Sequence, residues 1–414
     1  VIASPEKPTP TKVKTISLYR AQYDFHHSPA AYKGFVAGIG SGKSFAGAYD
    51  LIRRAKAGSL YMMAAPTSKQ LKDSSMRSLV ELARDLGFYK DLDKSNLILT
   101  LGNGAEVLLR SMDDPDSARG PNLAGVWLDE ATLMPHEAYT IAIGRLRQHG
   151  TQGWLSLTGT PKGRRHWTYK VFGPNEDGTP KKGVAVFTAR TRDNPFLPPG
   201  FEDKLREQYT SALAAQELDA EWLDLEGSVA NRGWFGIAPQ KPKAVRSARF
   251  WDIAASVKNV HNEDPDYTVG ALLSYVNMVY YVEDIVRGRW TPGEVESIIK
   301  RTAKQDGRRI VIGIEQEPGS AGKITGVNFV KMLAGYPVRL VRHTGDKLTR
   351  AMPFLAQAEH GAVKLIRGKW NDPFLDEVAD FPVGVHDDQI DAAAGAFQML
   401  TSHGSIGRIK VKIG

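Results

Sequence analysis

The sequence has no cysteine in 414 residues. This removes structural disulfides, thiolate zinc sites, iron–sulfur clusters and a thiol nucleophile together, so any metal must be held by carboxylate, imidazole or phosphate oxygen. Long apolar runs are missing as well. No stretch reaches the roughly 18 residues of a membrane-spanning helix, and the opening VIASPEKPTPTKVK lacks the apolar core of a signal peptide. These absences lead us to expect a soluble, intracellular chain with no membrane partner. Because it starts at Val1, an initiator or longer leader is expected to be missing from the numbering. No internal repeat is visible.

What is present is ordinary for a globular protein: 42% hydrophobic and 24% charged residues exclude wholesale disorder and a fibrous chain. The length suggests two or three domains, each with its own core. The 54 Lys and Arg against 46 Asp and Glu give a formal charge of +8. That surplus is compatible with a polyanionic partner without establishing one.

After a Pro- and Lys-rich leader, the first half alternates short apolar runs with helical patterns. Strands are expected at 34–37, 60–65, 97–100, 107–110, 125–128, 154–158 and 184–189, and helices at 43–55, 69–86 and 136–147. Short buried-looking strands separated by helices indicate an α/β fold with a mostly parallel sheet. A helical pair is expected to run to about Glu226, and 227–249 has the composition of a connector. A second α/β pattern follows, with strands at 249–254, 268–273, 279–285, 309–314 and 338–341 and a helix over about 387–400. Two domains, 1–234 and 235–414, are the expected division.

The run FVAGIGSGKSFAG is an apolar strand feeding a Gly-rich turn and then a helix. Gly38, Gly40 and Gly42 let backbone N–H groups converge on phosphate, Lys43 reaches the β/γ oxygens, and Ser44 ligates magnesium. Position 37 is Ala where the strict pattern has Gly. Further on, VWLDEA is an apolar strand ending in Asp129 and Glu130. Asp129 would hold the magnesium shell and Glu130 would polarise a water for in-line attack on the γ-phosphate. The pairing of the two motifs indicates ATP binding and hydrolysis. In WLSLTGTPKG, hydroxyls at Thr158 and Thr160 could sense the γ-phosphate. Arg119, in DSARGPN, is open to three readings: solvated, an internal ion-pair partner, or a finger on transition-state charge.

The second half carries carboxylates. Asp252 in FWDIAAS and Glu315 in VIGIEQE end apolar strands, and HDDQIDAAAGAF puts Asp387, Asp388 and Asp391 at the opening of a helix. Spacings of three and four place Asp388 or Asp387 on the same side as Asp391. Carboxylates gathered in this way repel one another unless divalent cations relieve them, which prepares two-metal hydrolysis of a phosphodiester. Oxygen-only ligands indicate Mg²⁺ or Mn²⁺. His386 reads as a helix-flanking residue by default, and Asp266 stays outside the core set.

The ordered motifs AGIGSGKS, APTSKQ, ARG, WLDEA, LTGTPKG, WDIAAS, IEQEPGSAGK and HDDQIDAAAGAF resemble those of the large terminase subunits of tailed double-stranded DNA bacteriophages, from about Tyr19 to Leu400. The resemblance implies a P-loop ATPase domain of the additional-strand glutamate class followed by an RNase H-like nuclease domain. It implies a motor that couples ATP hydrolysis to translocation of double-stranded DNA into a procapsid and cuts the concatemer. It also implies Gln22 as the adenine-reading residue, Thr158–Thr160 as the coupling motif and Arg119 as a finger reaching the neighbouring subunit. Many relatives have an Arg inside the P-loop where this chain has Ile39. Asp252, Glu315, Asp391 and Asp388 match the metal-binding carboxylates, with the choice between Asp387 and Asp388 open, and Glu317 follows two residues after Glu315. Lys347, Arg350 and Lys323 match a segment close to substrate DNA. The implied partners are double-stranded DNA, the portal protein, the small terminase subunit and further copies in a ring on the portal. The implied location is the host cytoplasm during assembly and not the mature virion. The alternative is a cellular ATP-dependent helicase or repair enzyme with a fused nuclease.

Overall fold

The computed structural model describes residues 14–224, 229–241, 243, 246–254, 265–316, 320–342 and 346–401, without the side chains of 320–324. The chain forms two compact units, Val1–Glu202 with Ala214–Asp224 and Asp203–Leu213 with Leu225–Gly414.

Eight strands build the sheet of the first unit: β1 (Tyr32–Ala37), β2 (Leu60–Ala65), β3 (Tyr89–Asp93), β4 (Ile98–Leu101), β5 (Glu106–Ser111), β6 (Gly125–Leu128), β7 (Trp154–Gly159) and β8 (Val184–Ala189). Their order is β3-β4-β5-β2-β6-β7-β1-β8. The five pairings from β5 to β8 are parallel, and β3 and β4 add an antiparallel edge. The central strands read as unbroken apolar runs because both faces are covered. In β6, Val126 and Leu128 enter one core while Trp127 enters the opposite one, as a period of two requires. Strand β7 lies between β1, which feeds the Gly-rich loop, and β6, which ends at the acidic pair. That insertion is the defining feature of the additional-strand class.

The second unit has seven strands: β9 (Gly236–Ala238), β10 (Arg246–Asp252), β11 (Thr268–Val276), β12 (Val279–Gly288), β13 (Val311–Glu315), β14 (Val338–Val341) and β15 (Val363–Ile366). Their order is β14-β13-β10-β11-β12-β15-β9. The antiparallel run β10-β11-β12 is continued from β10 by parallel β13 and β14, which is the RNase H arrangement. Helix Asp388–Thr401 packs on β10 and β11. Its AAAGA run permits a close approach: a Cβ on Gly395 would sit 2.4 Å from the Phe250 ring of β10. The small side chains thus bring the helix's acidic first turn near the end of β10.

Several elements differ from the expectations. The segment 69–86 is not one helix, since Leu71–Ser75 is a π-helical turn between Ser68–Gln70 and Met76–Asp85. Apolar periodicity does not report one wider turn. Strand β10 begins at Arg246, inside the expected connector, because Arg246 and Ser247 pair with Tyr275 and Ser274 of β11. The short strands β9, at the sheet edge, and β15, between it and β12, are not visible in the sequence for the same reason: their partners are remote in sequence.

Candidate active sites

In the first unit, the Gly-rich loop joins β1 to helix Lys43–Arg54. Gly40 and Gly42 have φ of 72° and 81°, a left-handed conformation that glycine adopts without a Cβ penalty. Gly38 contributes differently from the expectation that its amide would converge on phosphate. Its N–H donates to Ala189 O at 2.9 Å, and a Cβ there would lie 2.5 Å from Leu218 O, so its part here is close packing. The side chains of Thr191 and Asn194 donate to Ile39 O and Gly40 O and brace the loop. Lys43 Nζ donates to Gly38 O at 3.1 Å.

Asp129 follows β6 and is buried, accepting from Ser44 Oγ (3.3 Å), Thr158 Oγ1 (2.7 Å) and Ser75 Oγ (2.6 Å). Burial raises its pKa, against the pull of those three hydroxyls and Lys43. Glu130 is raised too, by burial first and then by Asp129 and Glu217, with Lys43 opposing. Its backbone is left-handed, φ 49° and ψ 43°, a conformation that costs a non-glycine residue about 1–2 kcal/mol and recurs at active sites.

Sequence reasoning missed Ser75 and Trp127. Ser75 is turned onto Asp129 by the π-helical segment, which no motif reports. Trp127 Nε1 donates to Thr158 Oγ1 at 2.9 Å, and its indole fits only because position 47 is glycine, where a Cβ would be 2.2 Å away.

Gln22 sits on helix Arg20–His27, which is tied to β1 and the P-loop helix by buried Lys33. The Lys33 Nζ donates to Phe25 O and to Asp50 Oδ1. Burial lowers the pKa of Lys33 to about 8, against the attraction of Asp50. Gln22 Nε2 donates to Gly42 O at 3.3 Å, and Tyr19 OH donates to Ser41 O at 2.5 Å. Gln22 Oε1 is buried without a hydrogen-bond partner among the described residues. Arg119, 54% exposed, pairs with Asp116 and, at 3.5 Å, with Glu137.

In the second unit, Asp252 and Glu315 end the adjacent parallel strands β10 and β13. Together with Asp266, Lys347, Arg350, Asp388 and Asp391 they line one cleft of about 720 Å³. Burial, then the charges of Glu315, Asp391 and Asp388, push Asp252 well above the usual carboxylate range. Asp391 is raised to about 6, chiefly by burial, with Arg350 opposing and Asp387 adding. Burial also raises Asp388, against the hydrogen bond its Oδ2 accepts from Tyr267 N at 3.0 Å.

Asp388 lies toward one side of the cleft, in a cluster with Asp266 and His386 whose ligand atoms fall within 4.8 Å of one another. Asp387 instead accepts from Lys347 Nζ at 2.5 Å. Lys347 also lies 3.6 Å from Asp391, and Arg350 donates to Asp391 at 3.2 Å. Although burial opposes its charge, the hydrogen bond and field of Asp387 hold the Lys347 ammonium above its ordinary range. Glu317 and the side chain of Lys323 lie outside the described residues.

The two sheets with these strand-end groups define a P-loop ATPase-type domain joined to an RNase H-like domain. Residues 35–237 match the family profile "Terminase large subunit, T4likevirus-type, N-terminal", and 249–400 match "Terminase RNaseH-like domain". The chain belongs to the terminase large subunit family. It is 27% identical over 245 residues to the PBSX phage terminase large subunit of Bacillus subtilis (strain 168), an alignment spanning 54% of this chain and 54% of that protein. The large terminase of the thermophilic bacteriophage D6E has the same fold, with a TM-score of 0.67 at 16% identity over 93% of this chain and all of that one. The D6E protein in complex with ATP-gamma-S gives a TM-score of 0.61 at 16% identity, over 92% of this chain and 98% of that one. Among the described residues no helix is long and apolar enough to cross a membrane.

Proposed function

We propose that this chain is a viral DNA-packaging motor subunit that hydrolyses ATP to drive double-stranded DNA into a procapsid and cuts concatemeric DNA with its second domain. The observation that carries this reading is the presence of two acid-centred sites of different construction in one chain. In one, buried Asp129 faces Ser44 beside a phosphate-binding loop. In the other, carboxylates crowd a cleft with two cations.

The first site fits ATP with Mg²⁺. Gln22 Oε1, buried and without a partner among the described residues, suits an amino donor such as that of adenine, and Ser44 with Asp129 would hold the cation. Lys43 would leave Gly38 O for phosphate oxygen, and Glu130 would orient and deprotonate the attacking water. Thr158, bonded to Asp129, would relay the loss of γ-phosphate. The second site fits Mg²⁺ or Mn²⁺. Asp391 Oδ1 is buried with no hydrogen-bond partner among the described residues, and burial, then the charges of neighbouring carboxylates, raise Asp252. Bound there, divalent cations would activate water and stabilise the leaving oxygen. Asp252, Glu315, Asp388 and Asp391 would hold them, while Lys347 and Arg350 would neutralise DNA phosphates without reading bases.

This reading further assigns partnership with the portal protein, the small terminase subunit and further copies in a ring, in the host cytoplasm during assembly. It is favoured over a helicase with a fused nuclease because an RNase H-like domain, and not a second ATPase-type sheet, follows the first unit. Purified wild type is expected to show ATP turnover and Mg²⁺- or Mn²⁺-dependent plasmid cleavage when both are assayed in parallel, with and without double-stranded DNA. Absence of both activities would reject the assignment.

Arg119 would act on a neighbouring subunit's nucleotide after leaving Asp116 and Glu137. Mixing inactive Lys43→Ala subunits with inactive Arg119→Ala subunits should restore part of the hydrolysis at interfaces pairing an intact loop with an intact finger. Rings shown to hold both variants yet giving no recovery would overturn the trans role.

A further inference from the structure

Helix Asp388–Thr401 carries two of the cleft's carboxylates in its first turn, and a helix leaves its first amides without intrahelical partners. The usual solution is the side chain of the residue just before the helix accepting from the second and third amides. Here that residue is Asp387, and its carboxylate is turned away to Lys347. The second and third amides, Gln389 N and Ile390 N, donate instead to Glu377 Oε1 at 2.6 and 3.0 Å. Gln389 Nε2 donates to Glu377 Oε2 at 2.7 Å and to Pro373 O at 3.1 Å. Glu377 comes from the separate helix Asn371–Asp380 and is only 7% exposed.

We propose that Glu377 is a positioning residue for the metal-binding carboxylates: a remote cap that occupies the helix's free amides so that Asp387, Asp388 and Asp391 need not. The inference rests on the nuclease reading of the cleft. The helix N-terminus attracts any nearby carboxylate. With Glu377 gone, Asp387 or Asp388 is the nearest group able to turn back onto the amides. Either movement costs the cleft an acid, by withdrawing Asp388 itself or by releasing Lys347 from Asp387 onto Asp391. Partners that orient ligands in this way commonly set metal affinity by 10–100-fold.

The test is Mn²⁺ binding to the full chain, followed by the loss of the free-ion paramagnetic resonance signal, alongside plasmid cleavage over a Mn²⁺ titration. Glu377→Ala should weaken Mn²⁺ binding and raise the half-saturating Mn²⁺ for cleavage by about tenfold or more, while cleavage at saturating Mn²⁺ stays near wild type. Glu377→Gln should remain within about threefold, because its amide oxygen can keep both backbone donors. The Gln389 amide, whose Oε1 has no partner among the described residues, can turn to meet the new NH₂. Glu377→Asp keeps the charge and loses reach, so it supplies the same comparison should the alanine variant fail to fold, with weakening between the two. Wild-type Mn²⁺ affinity in folded Glu377→Ala or in Glu377→Asp would overturn the proposal, as would a fall in saturated cleavage with affinity unchanged. If wild type binds Mn²⁺ but does not cut, the nuclease reading fails while the binding comparison still judges Glu377.

Discussion

Replacing Asp252 or Asp391 with alanine is expected to lower metal-dependent DNA cleavage by more than about a hundredfold while ATP turnover stays within about twofold of wild type. Each substitution removes a carboxylate from the crowded end of β10 or from the helix packed on it, and both residues belong to the second unit, whereas Lys43, Asp129 and Glu130 belong to the first. Two accompanying measurements separate this outcome from misfolding. In chelator, Asp252→Ala should melt no lower than wild type, since burial and the charges of Glu315, Asp391 and Asp388 already raise the Asp252 pKa in the fold. An acid whose folded pKa is raised disfavours the folded state once pH climbs past its unfolded value, so its removal relieves a cost at neutral pH. DNA binding by Asp391→Ala should persist or tighten, because Lys347 and Arg350 lose an anionic partner and face the phosphates. Undiminished cleavage by both variants would reject the nuclease assignment even if the ATPase assignment stood.

Glu130→Gln is expected to bind ATP near normally and to lose steady-state hydrolysis by at least about a hundredfold. The amide keeps the size of the side chain and cannot take a proton from water or polarise it strongly. The position is also sterically committed, for Glu130 holds its left-handed backbone two residues after β6, so a near-isosteric change leaves the turn and Asp129 in place. Nucleotide binding and turnover measured on the same preparation decide the matter. Hydrolysis at the wild-type rate would remove Glu130 from its assigned role.

Residues whose chemistry is carried by a contiguous stretch of chain are legible in the sequence. The Gly-rich loop, the Asp129–Glu130 pair, and the strand-ending acids Asp252 and Glu315 each lie in a run whose apolar strand and turn signals are local. Asp388 and Asp391 are likewise placed on one helix side by spacing. The choice between Asp387 and Asp388 was open in the sequence because both spacings suit a helix face. In the structure it is Asp388 that lines the cleft, while Asp387 binds Lys347.

The α/β class, the two kinds of site and the terminase resemblance are legible along the chain, since each motif and each strand-end acid is defined by neighbours within a few residues. It takes packing in three dimensions to bring Ser75 to Asp129 through a π-helical turn, Gly38 against Leu218 O, and Glu377 onto the start of the helix bearing Asp388 and Asp391. The first two contacts join segments far apart in the chain, and the third joins two separate helices twelve residues apart. Backbone donors and buried acids take whichever partner packing brings within about 3 Å, and linear spacing does not encode that distance.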